Sequence, residues 1–232
     1  MAVPPTNEAF LREVDDELRR DRLASFWTRY GRLLIAAIVL GLAAFAGYLY
    51  WRNHQQEVRG QEGEKLQSAY DALAAGRAAE ANKPLDELTR SSSEGYRALA
   101  LFTQADILLQ RDDLKGAAAK FAEVARNEEF APAFRDLALI RQTAAEYDTL
   151  QPQAVVDRLR TLAVPANPYF GSAGEMVAVA HLRAGRRDLA GRLFGQIARD
   201  ENVPASLRQR AVQMAGLLGV DAIDQDEGSP KK

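Results

Sequence analysis

Hydrophobic positions follow two patterns along this chain, one continuous and one periodic. Residues Leu33 to Trp51, LLIAAIVLGLAAFAGYLYW, form a run of 19 residues without a charge. As a helix rising roughly 1.5 Å per residue, the run would span roughly 28 Å, close to the hydrocarbon thickness of a bilayer. Aromatic residues flank it on both sides, as at the interfaces of membrane-spanning helices. The run therefore predicts a single transmembrane helix.

Two other interpretations of this run fit the residues less well. A core helix of a soluble domain usually keeps a polar face, and this segment has none. The small residues of Ala44-Phe45-Ala46 are typical of a signal-peptide cleavage site. However, 32 residues with six acidic groups precede the run, whereas a signal peptide begins with a short basic stretch. We expect an uncleaved anchor, which places residues 33–51 in the lipid bilayer.

Basic residues around the anchor predict its orientation. Five lie in the 20 residues before it and three in the 20 residues after it: Arg19, Arg20, Arg22, Arg29 and Arg32, then Arg52, Arg59 and Lys65. This bias favours an N-terminus in the cytoplasm. We therefore expect a cytoplasmic charged helical arm at residues 1–32. In a Gram-negative bacterium the anchor would lie in the inner membrane, with the rest of the chain in the periplasm.

After the anchor, apolar residues recur with a period of about 36 residues. One register position holds Ala81, Ala117, Val155 and Ala190, separated by 36, 38 and 35 residues. Four residues later every unit has an apolar residue: Leu85, Phe121, Leu159 and Phe194. Seven residues later the residues are again apolar: Leu88, Val124, Leu162 and Ile197. Twelve residues earlier the residue is small or Thr: Ala69, Ala105, Thr143 and Ala178. The later positions share one helix face, and the small residue lets a second helix approach closely. The pattern predicts four helical hairpins.

Turn-forming residues separate the two helices of each unit: Gly76, Asp112-Asp113, Pro152 and Gly185. Pro132 and Pro204 are expected to open the helices after units two and four. Pro84 suits only the first turn of a helix, so we expect the second helix of unit one to begin within a turn before it. The segment from about Ala205 to Leu218 predicts a capping helix over the last repeat. The polar tail, residues 221–232, is expected to be disordered.

Composition agrees with an all-α fold. After the anchor the chain is rich in Ala, Leu, Arg, Glu and Gln, which are good helix formers, and no stretch alternates like a β-strand. Of the chain's 30 basic and 32 acidic residues, six of each precede the anchor, which leaves 24 and 26 after it. This balance offers no basic surface for nucleic acid. We expect an N-terminal helix and a single transmembrane helix, then an α-solenoid of about four hairpins with a capping helix at residues 52–220.

The repeat pattern resembles tetratricopeptide repeats, whose usual period is about 34. Each unit has a small residue, a turn with Gly or Asp in most units, Ala-x-x-x-Phe or a variant of it, and in two units a later Pro. The whole layout resembles the bacterial family of the ancillary SecYEG translocon subunit. The arm TNEAFLREVDDELRRDRLASFWTRYG and the WRNHQQ after the anchor look like that family. The resemblance implies an inner-membrane protein associated with the SecYEG translocon and with a membrane-anchored periplasmic chaperone.

Catalytic chemistry has little support in the sequence. His54 and His181 have no partner at metal or general-base spacing, and His181 is expected to be a packed or capped helix residue. The FGSAG at residues 170–174 lacks the first glycine of a nucleophile elbow. The DQDEG at residues 224–228 lacks the glycine spacing and the final glutamate of a calcium loop. We predict no catalytic, cofactor or metal site, and a protein that is not an enzyme.

Protein binding is the function that remains, because the first helices of a repeat solenoid line its concave face. The groove spacing of the family, transferred to these units, selects Leu66, Tyr70, Leu99, Phe102, Ile140, Tyr147 and Leu182, with Leu73, Leu109, Leu137 and Val179 beside them. Such an apolar groove would suit an amphipathic helix or an unfolded segment. An interpretation at least as consistent with the pattern is a register shifted by one or two residues, which would make these residues core.

Three functions are compatible with this layout. The first is an adaptor or chaperone-like subunit that is held beside the export machinery and links it to periplasmic chaperones. The second is a structural assembly factor of cell-envelope or division complexes that uses the same repeats. The third is an enzyme whose site has no sequence signature. We favour the first because of the family resemblance.

Overall fold

A computed structural model describes the backbone of residues 6–222 and the side chains of residues 29–57 and 59–222. Over this range the chain is all-α, as predicted, and contains nine helices: α1 Thr6–Ala74, α2 Ala78–Leu88, α3 Glu94–Gln110, α4 Leu114–Arg126, α5 Pro132–Ala145, α6 Pro152–Leu159, α7 Phe170–Arg183, α8 Arg187–Arg199 and α9 Ala205–Leu217. The chain divides into two compact units, Met1–Gly60 and Gln61–Lys232. The predicted boundary after Trp51 lies within the continuous helix α1.

The first unit carries the apolar run. Among the described residues, one helix is long and apolar enough to cross a membrane, and it is this part of α1. The large apolar side chains between Leu33 and Trp51 are 40–77% exposed. They are therefore not the core of a soluble domain, which was one of the alternative interpretations. The side chains of the predicted arm that precede Arg29 lie outside the described residues.

The second unit confirms the predicted repeat register. All sixteen positions of the pattern are at most 3% exposed, from Ala69 in the first repeat to Ile197 in the fourth repeat. They pack into successive apolar clusters, each formed by neighbouring helices. The small residue of each first helix is fully buried, as expected where two helices approach closely. The second unit is thus a stack of four helical hairpins with α9 as the capping helix.

The hairpin turns use the residues that the sequence singled out. Gly76 and Gly185 have φ values of 72° and 74°, and Asp112 has a φ of 61°. This left-handed conformation suits Gly and is tolerated by Asp, and it ends one helix so that the chain can reverse. The Asp113 carboxylate accepts a hydrogen bond from the Gly116 N–H at 2.9 Å and so caps α4. Pro152 is the first residue of α6.

Two expectations about helix boundaries are wrong. Helix α2 begins at Ala78, so Pro84 lies in its interior rather than in its first turn. Because proline has no N–H, the Glu80 carbonyl loses its usual helical donor there. In addition, Pro204 precedes α9 as its N-cap instead of opening it.

The third and last parts of the array are irregular. Helix α6 is only 8 residues long and ends at Leu159, and residues 160–169 form the connection to α7. Leu162 lies in this connection and is nevertheless buried. Ala222, which the sequence pattern assigned to the polar tail, is 7% exposed and packs beside α8 and α9. The remainder of the predicted tail, residues 223–232, lies outside the described residues.

Candidate protein-binding surface

The first helices of successive repeats form one layer. Helix α3 contacts α5, α5 contacts α7, and α7 contacts α9, while α4, α6 and α8 each pack between two of these helices. A layer of adjacent helices presents side chains from several repeats on one surface. Such surfaces are where helical repeat proteins bind their partners.

Charged side chains link neighbouring first helices across this layer. Arg141 of α5 pairs with Asp106 of α3, and Arg210 of α9 donates from Nε and Nη2 to the two Glu175 carboxylate oxygens at 2.9 and 2.8 Å. Burial raises the pKa of the Asp106 carboxyl, although the Arg141 guanidinium acts in the opposite direction. Because these charges pair within the domain, the surface around them gains little net charge.

Tyr147 connects the third and fourth repeats. Its hydroxyl donates to the Met176 carbonyl of α7 at 2.8 Å. Arg183, at the end of α7, donates to the Tyr147 carbonyl at 2.8 Å, and its guanidinium lies 5.3 Å from the centroid of the Tyr147 ring. Burial raises the pKa of the Tyr147 hydroxyl, while Arg183 opposes the shift. These contacts fix the ring against α7 with its polar atoms satisfied.

A shallow apolar hollow lies between α5 and α7 and has a volume of about 290 Å³. Ala144 and Tyr147 line its α5 side, and Met176, Val179 and Glu175 line its α7 side. The single charged group is the Glu175 carboxylate, which Arg210 already holds. The hollow is thus an apolar surface, and the one carboxylate at its edge is paired with an arginine. It can accept one large apolar side chain of a partner.

The structure separates the seven predicted groove residues into two groups. Leu66, Phe102 and Ile140 are 7–8% exposed and belong to the hydrophobic core, so their assignment to a groove is corrected. Tyr70 and Leu99 are 39% and 38% exposed, Tyr147 lines the hollow, and Leu182 is half-buried against the last apolar cluster. The alternative register, in which first-helix residues are core, therefore holds for three of the seven.

Three residues of the hollow, Ala144, Glu175 and Met176, were missed by the sequence analysis. Ala144 and Met176 carry no groove signal of their own, because Ala is common in this chain and Met is typical of core positions. Their spacing offered a signal that could have found them. Met176 lies three residues before Val179 on α7, so the two share a helix face, and Ala144 lies in the last turn of α5, three residues before Tyr147.

Neither histidine belongs to a cluster of metal ligands among the described residues, where no three His, Cys, Asp or Glu side chains converge on a position that could hold a metal ion. His54 is exposed on α1. His181 is half-buried on α7, and its Nδ1 is buried without a hydrogen-bond partner. Burial lowers the pKa of His181, and the nearby Arg186 lowers it further. His181 is therefore a packed helix residue, as expected.

Comparisons with known proteins agree with this architecture. The family of tetratricopeptide repeat-like domains matches residues 24–190. An ancillary SecYEG translocon subunit of Haemophilus influenzae is 23% identical over 106 residues, which cover 46% of this chain and 52% of that protein. The chain thus matches about half the length of this curated relative. No solved structure shows a significant match. The resemblance seen in the sequence is confirmed by these two matches.

Proposed function

The chain belongs to the family of tetratricopeptide repeat-like domains, and on this premise we propose that it is a membrane-anchored protein-interaction module. The observation that carries the proposal is the layer of first helices, which presents an apolar hollow beside charges that are already paired. Binding a partner there would bury apolar surface without desolvating an unpaired charge. The proposed role needs no catalytic group.

The apolar run of α1 supports the membrane part of the proposal. Its side chains are exposed within the chain over a length that suits a bilayer. The distribution of basic residues supports a cytoplasmic N-terminus and a periplasmic repeat domain in a bacterial inner membrane. In this arrangement the anchor holds the repeats beside other membrane proteins, which raises their effective concentration for one another.

We further propose that the partner is the SecYEG translocon and that the repeats link it to a membrane-anchored periplasmic chaperone. The name of the Haemophilus influenzae relative supports the translocon part. The hollow supports the chaperone part through its chemistry, since an apolar surface suits proteins or segments that expose hydrophobic side chains during export.

Affinity purification of the full chain in mild detergent tests this function, with copurifying proteins identified by mass spectrometry. A variant in which an unrelated single-span helix replaces residues 33–51 keeps the membrane location but removes the specific anchor. We expect SecYEG subunits and a periplasmic chaperone with the full chain. Cell-envelope or division proteins without SecYEG would instead support the assembly-factor alternative.

A pair of substitutions on α5 tests the hollow itself. Ala144→Glu places a charge in the hollow at an exposed position, and Ala133→Glu adds the same charge at an exposed position of α5 outside it. We expect Ala144→Glu to reduce partner recovery and Ala133→Glu to leave it unchanged, with equal helicity for both. Equal recovery with both variants would show that partners bind elsewhere on the chain.

A further inference from the structure

Helix α9 ends the array without a second helix of its own. Within residues 6–222, the first helices α3, α5 and α7 are each followed by a second helix, whereas no helix follows α9. Instead the chain reverses at Gly219, which has a φ of 78°, and the Val220 N–H donates to the Ala215 carbonyl at 2.9 Å. Such a reversal is a common end of a helix. It leads into residues 218–222, which we name the strap.

The strap packs tightly on α8. A Cβ atom at Gly191 would lie 2.9 Å from the Val220 side chain, and a Cβ atom at Gly195 would lie 3.1 Å from it. Val220 can therefore occupy this position only because Gly191 and Gly195 have no side chains. Arg199, at the last position of α8, donates from Nη2 to the Asp221 carbonyl. The strap is thus bound to α8 by one apolar and one polar contact.

The strap also shares an apolar cluster with α9. Ala222 is 7% exposed and belongs to the same cluster as Ala211 and Ala215 of α9, which are at most 2% exposed. Leu218 and Val220 pack against this cluster as well. Helix α9 packs mainly against α8 and much less against α7. The strap therefore joins the apolar face of α9 to α8 and helps to fix the position of α9.

The position of α9 matters for the hollow because α9 carries Arg210. This residue directly precedes the buried Ala211, and its guanidinium donates to both carboxylate oxygens of Glu175 at the edge of the hollow. The ion pair joins two helices, so it forms only while α9 keeps its place beside α7. If Arg210 moved away, an apolar partner in the hollow would have to desolvate an unpaired carboxylate.

We propose that the strap is a latch for the hollow. By holding α9 on α8 it keeps Arg210 paired with Glu175, and its release leaves Glu175 unpaired and weakens the binding of an apolar partner. Both contacts lie on one helix of 13 residues, so a movement of α9 changes them together. The consequence for binding rests on the proposed function, whereas the link between the strap and the hollow does not.

Hydrogen exchange of the full chain in detergent, followed by mass spectrometry, tests whether the strap holds α9. Val220→Asp places a carboxylate against Gly191 and should release the strap, so we expect the amides of α9 to exchange about tenfold faster. Leu217→Asp is the matched control, because it adds the same charge at a position that is 75% exposed. Gly191→Ala is a second variant that displaces Val220 while favouring the helical conformation of α8, and it should also speed exchange in α9.

Methyl nuclear magnetic resonance with isotope-labelled methionine follows the hollow without any partner. The chain has three methionines, and Met176 lines the hollow. We expect Val220→Asp to shift the Met176 methyl signal in the same direction as Arg210→Gln, and the double variant to show no further shift. A Met176 signal that Val220→Asp leaves unchanged would overturn the latch, because the strap would then not reach the hollow. Unchanged exchange of α9 in both Val220→Asp and Gly191→Ala would overturn it too.

Recovery of copurifying proteins separates the latch from the proposed function. We expect Val220→Asp to lower recovery and Glu175→Gln to restore it in the double variant, because the amide leaves no unpaired charge at the hollow. A loss that Glu175→Gln does not restore would contradict the latch, since the strap would then act only on the stability of the domain. Unchanged recovery in Ala144→Glu would refute the hollow as the binding surface, and the Met176 signal would still decide whether the strap controls it.

Discussion

Truncation of Phe102 tests whether the first helices contribute this residue to the core or to a surface. Phe102 is 7% exposed, and its ring centroid lies 5.9 Å from that of Phe121, which is fully buried. Removing a buried phenylalanine ring costs about 3–4 kcal/mol, and the lost ring pair is part of that figure. In a domain of this size each kcal/mol lowers Tm by about 2–4 °C. We therefore expect Phe102→Ala to lower the Tm by about 10 °C.

Leu99 provides the matched control, because it lies on the same helix three residues earlier and is 38% exposed. Leu99→Ala should cost at most about 1 kcal/mol and lower the Tm by less than about 4 °C. Thermal unfolding of the full chain in detergent, followed by far-ultraviolet circular dichroism, measures both. If Phe102→Ala lowers the Tm no more than Leu99→Ala, Phe102 is not part of the core and the burial argument is refuted.

Three further predictions concern the turns, the half-buried His181 and the membrane orientation. Gly185→Ala should destabilise the chain by about 1 kcal/mol, because Gly185 has a φ of 74°. Gly216 lies in α9, where a Cβ atom would have no heavy atom within 4 Å. Because Ala favours a helix more than Gly does, Gly216→Ala should stabilise the chain by up to about 1 kcal/mol. The pKa of His181 is lowered from its usual 6.5, so the unfolded chain binds the proton more readily. Stability should therefore fall as the pH drops below about 6.5, and His181→Gln should weaken this dependence. A periplasm-dependent reporter fused after Lys232 should be active.

Each of these predictions has a result that would contradict it. Equal Tm values for Gly185→Ala and Gly216→Ala would mean that the left-handed turn is not under steric constraint. Parallel Tm-against-pH curves for the unmodified chain and His181→Gln would remove His181 as the titrating group. A reporter that is active only in the cytoplasm would reverse the orientation and exclude periplasmic partners. The reporter fused before the anchor is the control for expression and should give the opposite signal.

The buried positions of the second helices were predictable because their apolar pattern repeats at fixed spacing. Residues such as Phe121 and Phe194 recur at fixed spacing on helices that also carry several charged and polar residues, so one face is expected to be buried. The turns were predictable for a similar reason, since Gly76 and Gly185 permit a backbone conformation that most residues avoid. The apolar run of α1 needs no tertiary information, because its length and lack of charge are properties of the sequence.

The first helices were not predictable in this way. Helix α3 has consecutive apolar residues from Ala98 to Phe102, and such a helix has no single apolar face. It packs against its own second helix and against helices of both neighbouring repeats, so most of its circumference is apolar. A shift of one residue rotates a position by roughly 100°, which exchanges core and surface. For that reason Phe102 and Ile140 were assigned to a groove although they are core.

The sequence by itself determined that this chain is a helical repeat protein with one membrane-spanning candidate, because length, charge and periodicity are local properties. Tertiary structure alone decided which surfaces are open. The hollow at Tyr147 and Met176 exists only because α5 and α7 lie side by side. The close packing of Val220 on Gly191 depends on where the chain runs after α9, and a linear pattern does not encode which residues distant in sequence meet in space.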